Sequence, residues 1–173
     1  MTKNNALPAE QNAFILGDEV GTYIATRPVH SNEVLAQAEK ILLEQIQRGE
    51  AFQDPNAVKR FLTVRLGTLE SEVFSILFLD NRHRLIAFEE LFQGTIDGCS
   101  VHIREIIKRA LTLNAAAIII AHNHPSGVPE PSQADQRLTS RIKDAMALLD
   151  IRVLDHLIVG GPEVVSFAER GLL

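Results

Sequence analysis

Cysteine occurs once among the 173 residues of this chain, as Cys99, so no intrachain disulfide forms and no second thiol exists to build a cysteine-based metal site. Cys99 itself reads as a small, semi-buried residue. Basic residues are also short: 17 Lys and Arg face 22 Asp and Glu, and the net charge of −5 argues against a general electrostatic nucleic-acid binder. Nucleic acid remains open only through local patches, and the group Arg104, Lys108 and Arg109 reads as an ordinary solvated helix face. No apolar run approaches the ~20 residues that span a bilayer, and the first residues lack the charged-then-apolar layout of a signal peptide. The expectation is a cytoplasmic protein with no membrane contact. Internal repeats and low-complexity tracts are absent too, which excludes solenoids and arrays.

What is present supports a folded domain. At 46% hydrophobic the chain buries a substantial core, and it needs no metal simply to fold. Residues 1–50 read as an N-terminal arm and helix, and residues 51–173 as the main domain. Within the arm, residues 1–30 show no clear period and are interrupted by Pro8, Gly17, Gly21 and Pro28. A first helix is expected from a cap at Ser31 or Asn32, with Val34, Leu35, Ala38, Ile41, Leu42 and Ile46 as its apolar stripe and Gly49 as its stop. A second begins at Asp54-Pro55, buries Val58, Phe61, Leu62 and Leu66, and closes at Gly67. The run Glu72 to Asp80 reads as a strand that turns at Asp80-Asn81 into an antiparallel partner through Leu85–Phe88. A helix from about Ile103 to Leu113, a strand over Asn114–Ala121, a long helix from Gln133 to Leu149, a strand over Ile151–Ile158 and a last strand near Val164–Phe167 complete the order. Strands alternating with helices, some neighbours antiparallel, describe an α/β fold with a mixed sheet flanked by helices.

The stretch that carries chemistry is His122-Asn123-His124-Pro125, followed by Ser132-Gln133-Ala134-Asp135. Side chains alternate along a strand, so His122 and His124 share a face and their imidazoles can converge on one ion. Ser132 reads as the N-cap of the next helix, and Asp135, in its first turn, sits where the helix dipole favours a carboxylate. Two His and one carboxylate with no fourth protein ligand describe a zinc site left open for water, the arrangement of catalytic rather than structural zinc. Taken singly, His-x-His at a strand end is commonly incidental and Ser-x-x-Asp is commonly a capping box. The joint spacing weighs against both.

That spacing matches the signature of the JAMM (MPN-domain) metalloproteases. The wider set Ala121–Gly127, Pro131–Asp135, Asp155-His156-Leu157-Ile158-Val159-Gly160-Gly161, Ser166–Glu169, Glu90–Thr95 and Arg104-Glu105-Ile106 resembles the RadC-like branch of that group, over roughly residues 52–173. Longer RadC-like proteins carry a helix-hairpin-helix module, for which no Gly-x-Gly hairpin is found, so the chain resembles the short stand-alone form. Ile103 stands where the branch usually has Pro, a change confined to a helix start. The resemblance implies an MPN/JAMM fold similar to that of cytidine deaminases. The deaminase site, with two cysteines in a Pro-Cys-x-x-Cys run, is excluded by the single cysteine.

The resemblance further implies zinc held by His122, His124 and Asp135, a general base at Glu72, and a Ser132 hydroxyl that donates to the oxyanion. Read without it, Glu72 is equally a solvated strand-start carboxylate, and Glu70, Glu89, Glu90 and Glu105 compete for its role. His156 reads more readily as a buried strand histidine with its own partner than as support for the site. Asn123 points away from its flanking histidines, and His30, His83 and His102 have no ligand spacing. The implied function is a zinc peptidase or isopeptidase acting on a protein or peptide substrate. The alternative is a DNA-repair-associated accessory or protein-interaction domain of RadC type.

Overall fold

The computed structural model describes residues 13–47, 55–95 and 99–173 of the chain. Two short strands, β1 (Phe14–Leu16) and β2 (Tyr23–Ala25), pair as an antiparallel hairpin. They lie in the segment that the sequence reading left without elements, because three residues are too few to display a period. The helix α1 (Ser31–Gln47) follows, then α2 (Pro55–Leu66), β3 (Val73–Leu79), β4 (Leu85–Gln93), α3 (Ile103–Thr112), β5 (Ala117–Asn123), α4 (Gln133–Ala147), β6 (Arg152–Gly160) and β7 (Glu163–Ser166). The expected cap at Asp54 and stop at Gly49 lie outside the described residues.

The start of α1 differs from expectation for a visible reason. Neither Ser31 nor Asn32 is the residue before the helix; His30 is, and its N–H donates to the Glu33 carboxylate at 2.9 Å. Arg27 grips the same carboxylate at 2.6 Å. The Arg27 hydrogen bond, then the His30 N–H, hold the Glu33 carboxyl down at about 2. Of the expected α1 stripe, Ile46 is buried while Val34 and Leu35 remain exposed. The α2 stripe holds throughout, with Val58, Phe61, Leu62 and Leu66 all buried.

Five strands form one mixed sheet in the order β4-β3-β5-β6-β7. Only β5 and β6 run parallel, joined through α4, and the other pairs are antiparallel. Every residue of β3 and β5 is buried, which explains why both read as continuous apolar runs: each is covered on both faces. On one face Val73, Leu77, Ala117, Ile119, Leu157 and Val159 pack beneath α1 and α2. On the other Phe74, Ile76, Phe78, Ile118 and Ile120 pack beneath Ile106 of α3 and Ile142 and Met146 of α4.

Strand β4 runs five residues beyond the expected Phe88 because its acidic positions find partners. Glu89 pairs with Arg109 of α3 through two of the guanidinium nitrogens, Nε at 2.7 Å and Nη2, and Glu90 meets Arg65 of α2 at 2.7 Å. Arg109 is therefore a tie between α3 and the edge strand rather than a free solvated side chain. The ligand-bearing strand starts later than expected, at Ala117, because Asn114 turns with φ of 51° after α3, and it continues through Asn123. His122 thus lies inside the sheet, opposite Phe74 on β3 and Ile158 on β6. No helix among the described residues is long and apolar enough to cross a membrane.

Candidate metal centre

Three side chains, from β5, the loop after it and α4, meet where the strand ends and the helix begins. One ligand atom each from His122, His124 and Asp135 lies within 4.8 Å of the others, a grouping able to hold a metal ion. His122 Nε2 stands 3.0 Å from His124 Nε2 and 3.5 Å from Asp135 Oδ1, and His124 Nε2 is 3.7 Å from Asp135 Oδ2. Strand alternation delivers the histidines to the same face, and the helix start delivers the carboxylate. Ser132 caps α4: its Oγ accepts the Asp135 N–H at 3.1 Å, while Asp135 Oδ2 accepts the Ser132 N–H at 2.7 Å and its hydroxyl at 2.5 Å. The capping box and the ligand arrangement are therefore one structure, and Oδ1 is the carboxylate oxygen these cap bonds leave for another partner.

The electrostatics suit metal binding. Burial, reinforced by His124 and opposed by Asp135, pushes the His122 imidazole down to about 4, so it is neutral near pH 7 with a lone pair to give. His124 Nδ1 lies 2.8 Å from the Val128 carbonyl, which can only accept, so Nδ1 carries a hydrogen and Nε2 is the nitrogen turned toward His122 and Asp135. Two imidazoles and one carboxylate are a donor set for a divalent first-row ion. Glu72 sits just before β3, its backbone bonded to Thr95 and Gly94 at 3.1 and 2.8 Å. Partial burial raises its carboxyl, the nearby charge of Asp135 raises it further, and His124 opposes both. Of the competing acids, Glu89 and Glu90 hold arginines and Glu105 holds Lys108 at 3.0 Å.

Residues 52–172 match the family model described as RadC-like JAB domain. The chain belongs to that family. It is 61% identical over 139 residues to a UPF0758 protein of Nitrosococcus oceani, covering 80% of this chain and 62% of that protein. Against a UPF0758 protein of Vibrio cholerae it is 54% identical over 151 residues, 87% of this chain and 95% of that one. The chain therefore spans less than two thirds of the first relative and nearly all of the second.

Within this RadC-like JAB domain, the supporting contacts are the part that sequence reasoning reached least. His156, read there as a strand histidine with its own partner, has its Nε2 2.8 Å from His122 Nδ1. Its Nδ1 is 2.6 Å from the hydroxyl of Thr139, which donates to the Asp135 carbonyl at 2.6 Å. Thr139 was not singled out, although it lies one helical turn after Asp135 on the same face, a spacing that would have found it. Asp155, beside His156, serves the C-terminal turn instead, accepting from Ser166 Oγ at 2.6 Å and Ala168 N at 3.0 Å.

The loop from Pro125 to Pro131 is held from several sides. The His124 N–H donates to the Val159 carbonyl at 2.9 Å, Gly127 takes a φ of 80°, and Glu130 meets Arg170 at 2.6 Å. At Gly160 a methyl group would stand 2.5 Å from Pro129 Cδ and 2.7 Å from the Gly127 carbonyl, so only glycine lets β6 and the loop touch.

Asn123 points to the opposite face, as the alternation requires, and there it pins the segment leading to Glu72. Its Oδ1 accepts the Val73 N–H at 2.8 Å and its Nδ2 donates to the Ser71 carbonyl at 3.0 Å. Asn123→Ala leaves a buried donor unsatisfied and is expected to destabilise the domain by about 1–3 kcal/mol. Urea denaturation measures this; a midpoint equal to that of wild type would refute the assignment.

Proposed function

We propose that the chain is a zinc-dependent peptidase or isopeptidase that cleaves an amide bond in a protein or peptide substrate. The convergence of His122, His124 and Asp135 within a RadC-like JAB domain carries this reading. These three residues would hold the ion, the histidines through the ring nitrogens that face one another and Asp135 through its carboxylate. When bound, zinc supplies Lewis acidity toward an amide carbonyl and lowers the pKa of water.

The remaining work falls to two side chains. Glu72 takes a proton from the attacking water and returns it to the departing amine nitrogen. Its raised carboxyl favours that exchange, because a base with a pKa nearer neutrality both accepts and releases a proton readily. Ser132 donates its hydroxyl to the oxyanion of the tetrahedral intermediate, exchanging its hydrogen bond to Asp135 Oδ2 for one to substrate.

Elemental analysis of purified protein together with a screen of peptide and isopeptide substrates tests the reading. Near-stoichiometric zinc and hydrolysis that stops on chelation and returns on zinc addition are expected. Tight binding to single- or double-stranded DNA that weakens as salt rises and is unaffected by Asp135→Ala, with no cleavage of any substrate, would replace the hydrolase reading with the accessory-domain one.

A further inference from the structure

Four side-chain and backbone groups close a ring between two of the ligands, and the hydrogen positions within that ring follow from which atoms can donate. The Asp135 carbonyl can only accept, so the single hydrogen of the Thr139 hydroxyl points to it. At its other contact the hydroxyl oxygen must then accept, which places a hydrogen on His156 Nδ1. His156 is fully buried, its one ring hydrogen is taken up at Nδ1, and Nε2 is therefore the accepting nitrogen. That lone pair accepts from His122 Nδ1, and His122 Nε2 is left bare toward Asp135 and His124.

We propose that His156 and Thr139 are positioning residues that fix His122 in the tautomer able to bind a metal through Nε2, by a one-way chain of hydrogen bonds anchored on the Asp135 backbone. The same chain fixes the turn of α4 that carries Asp135 relative to β5 and β6. A change in the helix's seating therefore reaches both ligands together. Neither residue touches substrate or the reacting atoms. The inference rests on the metal-binding reading of the site, since the tautomer matters only to a ligand.

Thr139 offers a discriminating pair of substitutions. Thr139→Val keeps the shape and the methyl group and removes the hydroxyl. His156 is then free to place its hydrogen on Nε2 and donate to His122 Nδ1, which moves the His122 hydrogen to Nε2, where the metal would bind. Thr139→Ser keeps the hydroxyl and loses the methyl. Thr139→Val is expected to weaken zinc binding about 10–100-fold, the range for loss of a ligand-orienting partner, and Thr139→Ser to stay near wild type. A purely packing role for Thr139 gives the reverse order.

The tautomers are read directly in the metal-free protein by long-range proton–nitrogen correlation on ¹⁵N-histidine samples, which in wild type should show His122 and His156 both protonated at Nδ1. That measurement needs no variant to fold. A His122 hydrogen on Nε2 in wild type, or zinc affinity in Thr139→Val equal to that of wild type, overturns the chain. Wild-type tautomers as expected but no zinc uptake overturn the metal reading of the site, and with it the purpose assigned to the relay, while leaving its hydrogen-bond order intact.

Discussion

Asp135→Ala is expected to abolish both stoichiometric zinc uptake and all zinc-dependent hydrolysis while leaving a cooperatively folded domain. The carboxylate is one of the three groups proposed to hold the ion, and without it two imidazoles from a single strand end remain. The fold survives because both apolar layers of the sheet are built from side chains other than His122, His124 and Asp135. The substitution does carry a structural cost, since Asp135 Oδ2 accepts the Ser132 N–H and hydroxyl at the start of α4. Losing half of a capping box costs about 1 kcal/mol, on the order of a 2–4 °C fall in melting temperature for a domain of this size. Asp135→Asn separates the two roles, because an amide oxygen still accepts from the cap but is a poorer ligand. Calorimetry and metal analysis on both variants check this. Cooperative unfolding of wild type on chelation alone would mean the site is structural.

Glu72→Gln is expected to retain full zinc content and to lose roughly two to four orders of magnitude in turnover, the usual contribution of a positioned general base. Metal content and rate separate here because Glu72 precedes β3 while the ligands come from β5, the loop after it and α4. The amide keeps the size of the side chain and its backbone bonds to Gly94 and Thr95, so a change in folding does not explain a lost rate. Steady-state kinetics beside elemental analysis measure the split. Full turnover in Glu72→Gln, with loss in Glu89→Gln or Glu90→Gln, would move the base to β4.

Local physics made much of this architecture legible. The α2 stripe, the capping box and the paired strands β3 and β4 were readable because each is written in contiguous residues with a period or a cap. The proximity of His122, His124 and Asp135 was legible for the same reason: fourteen positions of chain contain all three. What escaped depended on partners distant in sequence. Strand β4 runs on along β3 to Gln93 with its Glu89 and Glu90 held by Arg109 and Arg65, and Asn123 reaches the neighbouring strand at Val73. His156 shows the limit most clearly, since nothing near it in the chain announces that the strand pairing will bring it against His122.

The contact at Gly160 bears on how anything enters the site. A loop that rests backbone-to-backbone on a buried strand, with three prolines and a glycine at a fixed turn, has no room to swing and no slack to swing with. It behaves as a doorpost. Traffic into and out of the centre is left to the side of Glu72, which precedes β3 and whose carboxyl feels the charges of Asp135 and His124. Enlarging or narrowing what this domain admits is therefore a matter of the residues on that side, and the loop bearing Gly127 and Pro129 is the part to leave untouched.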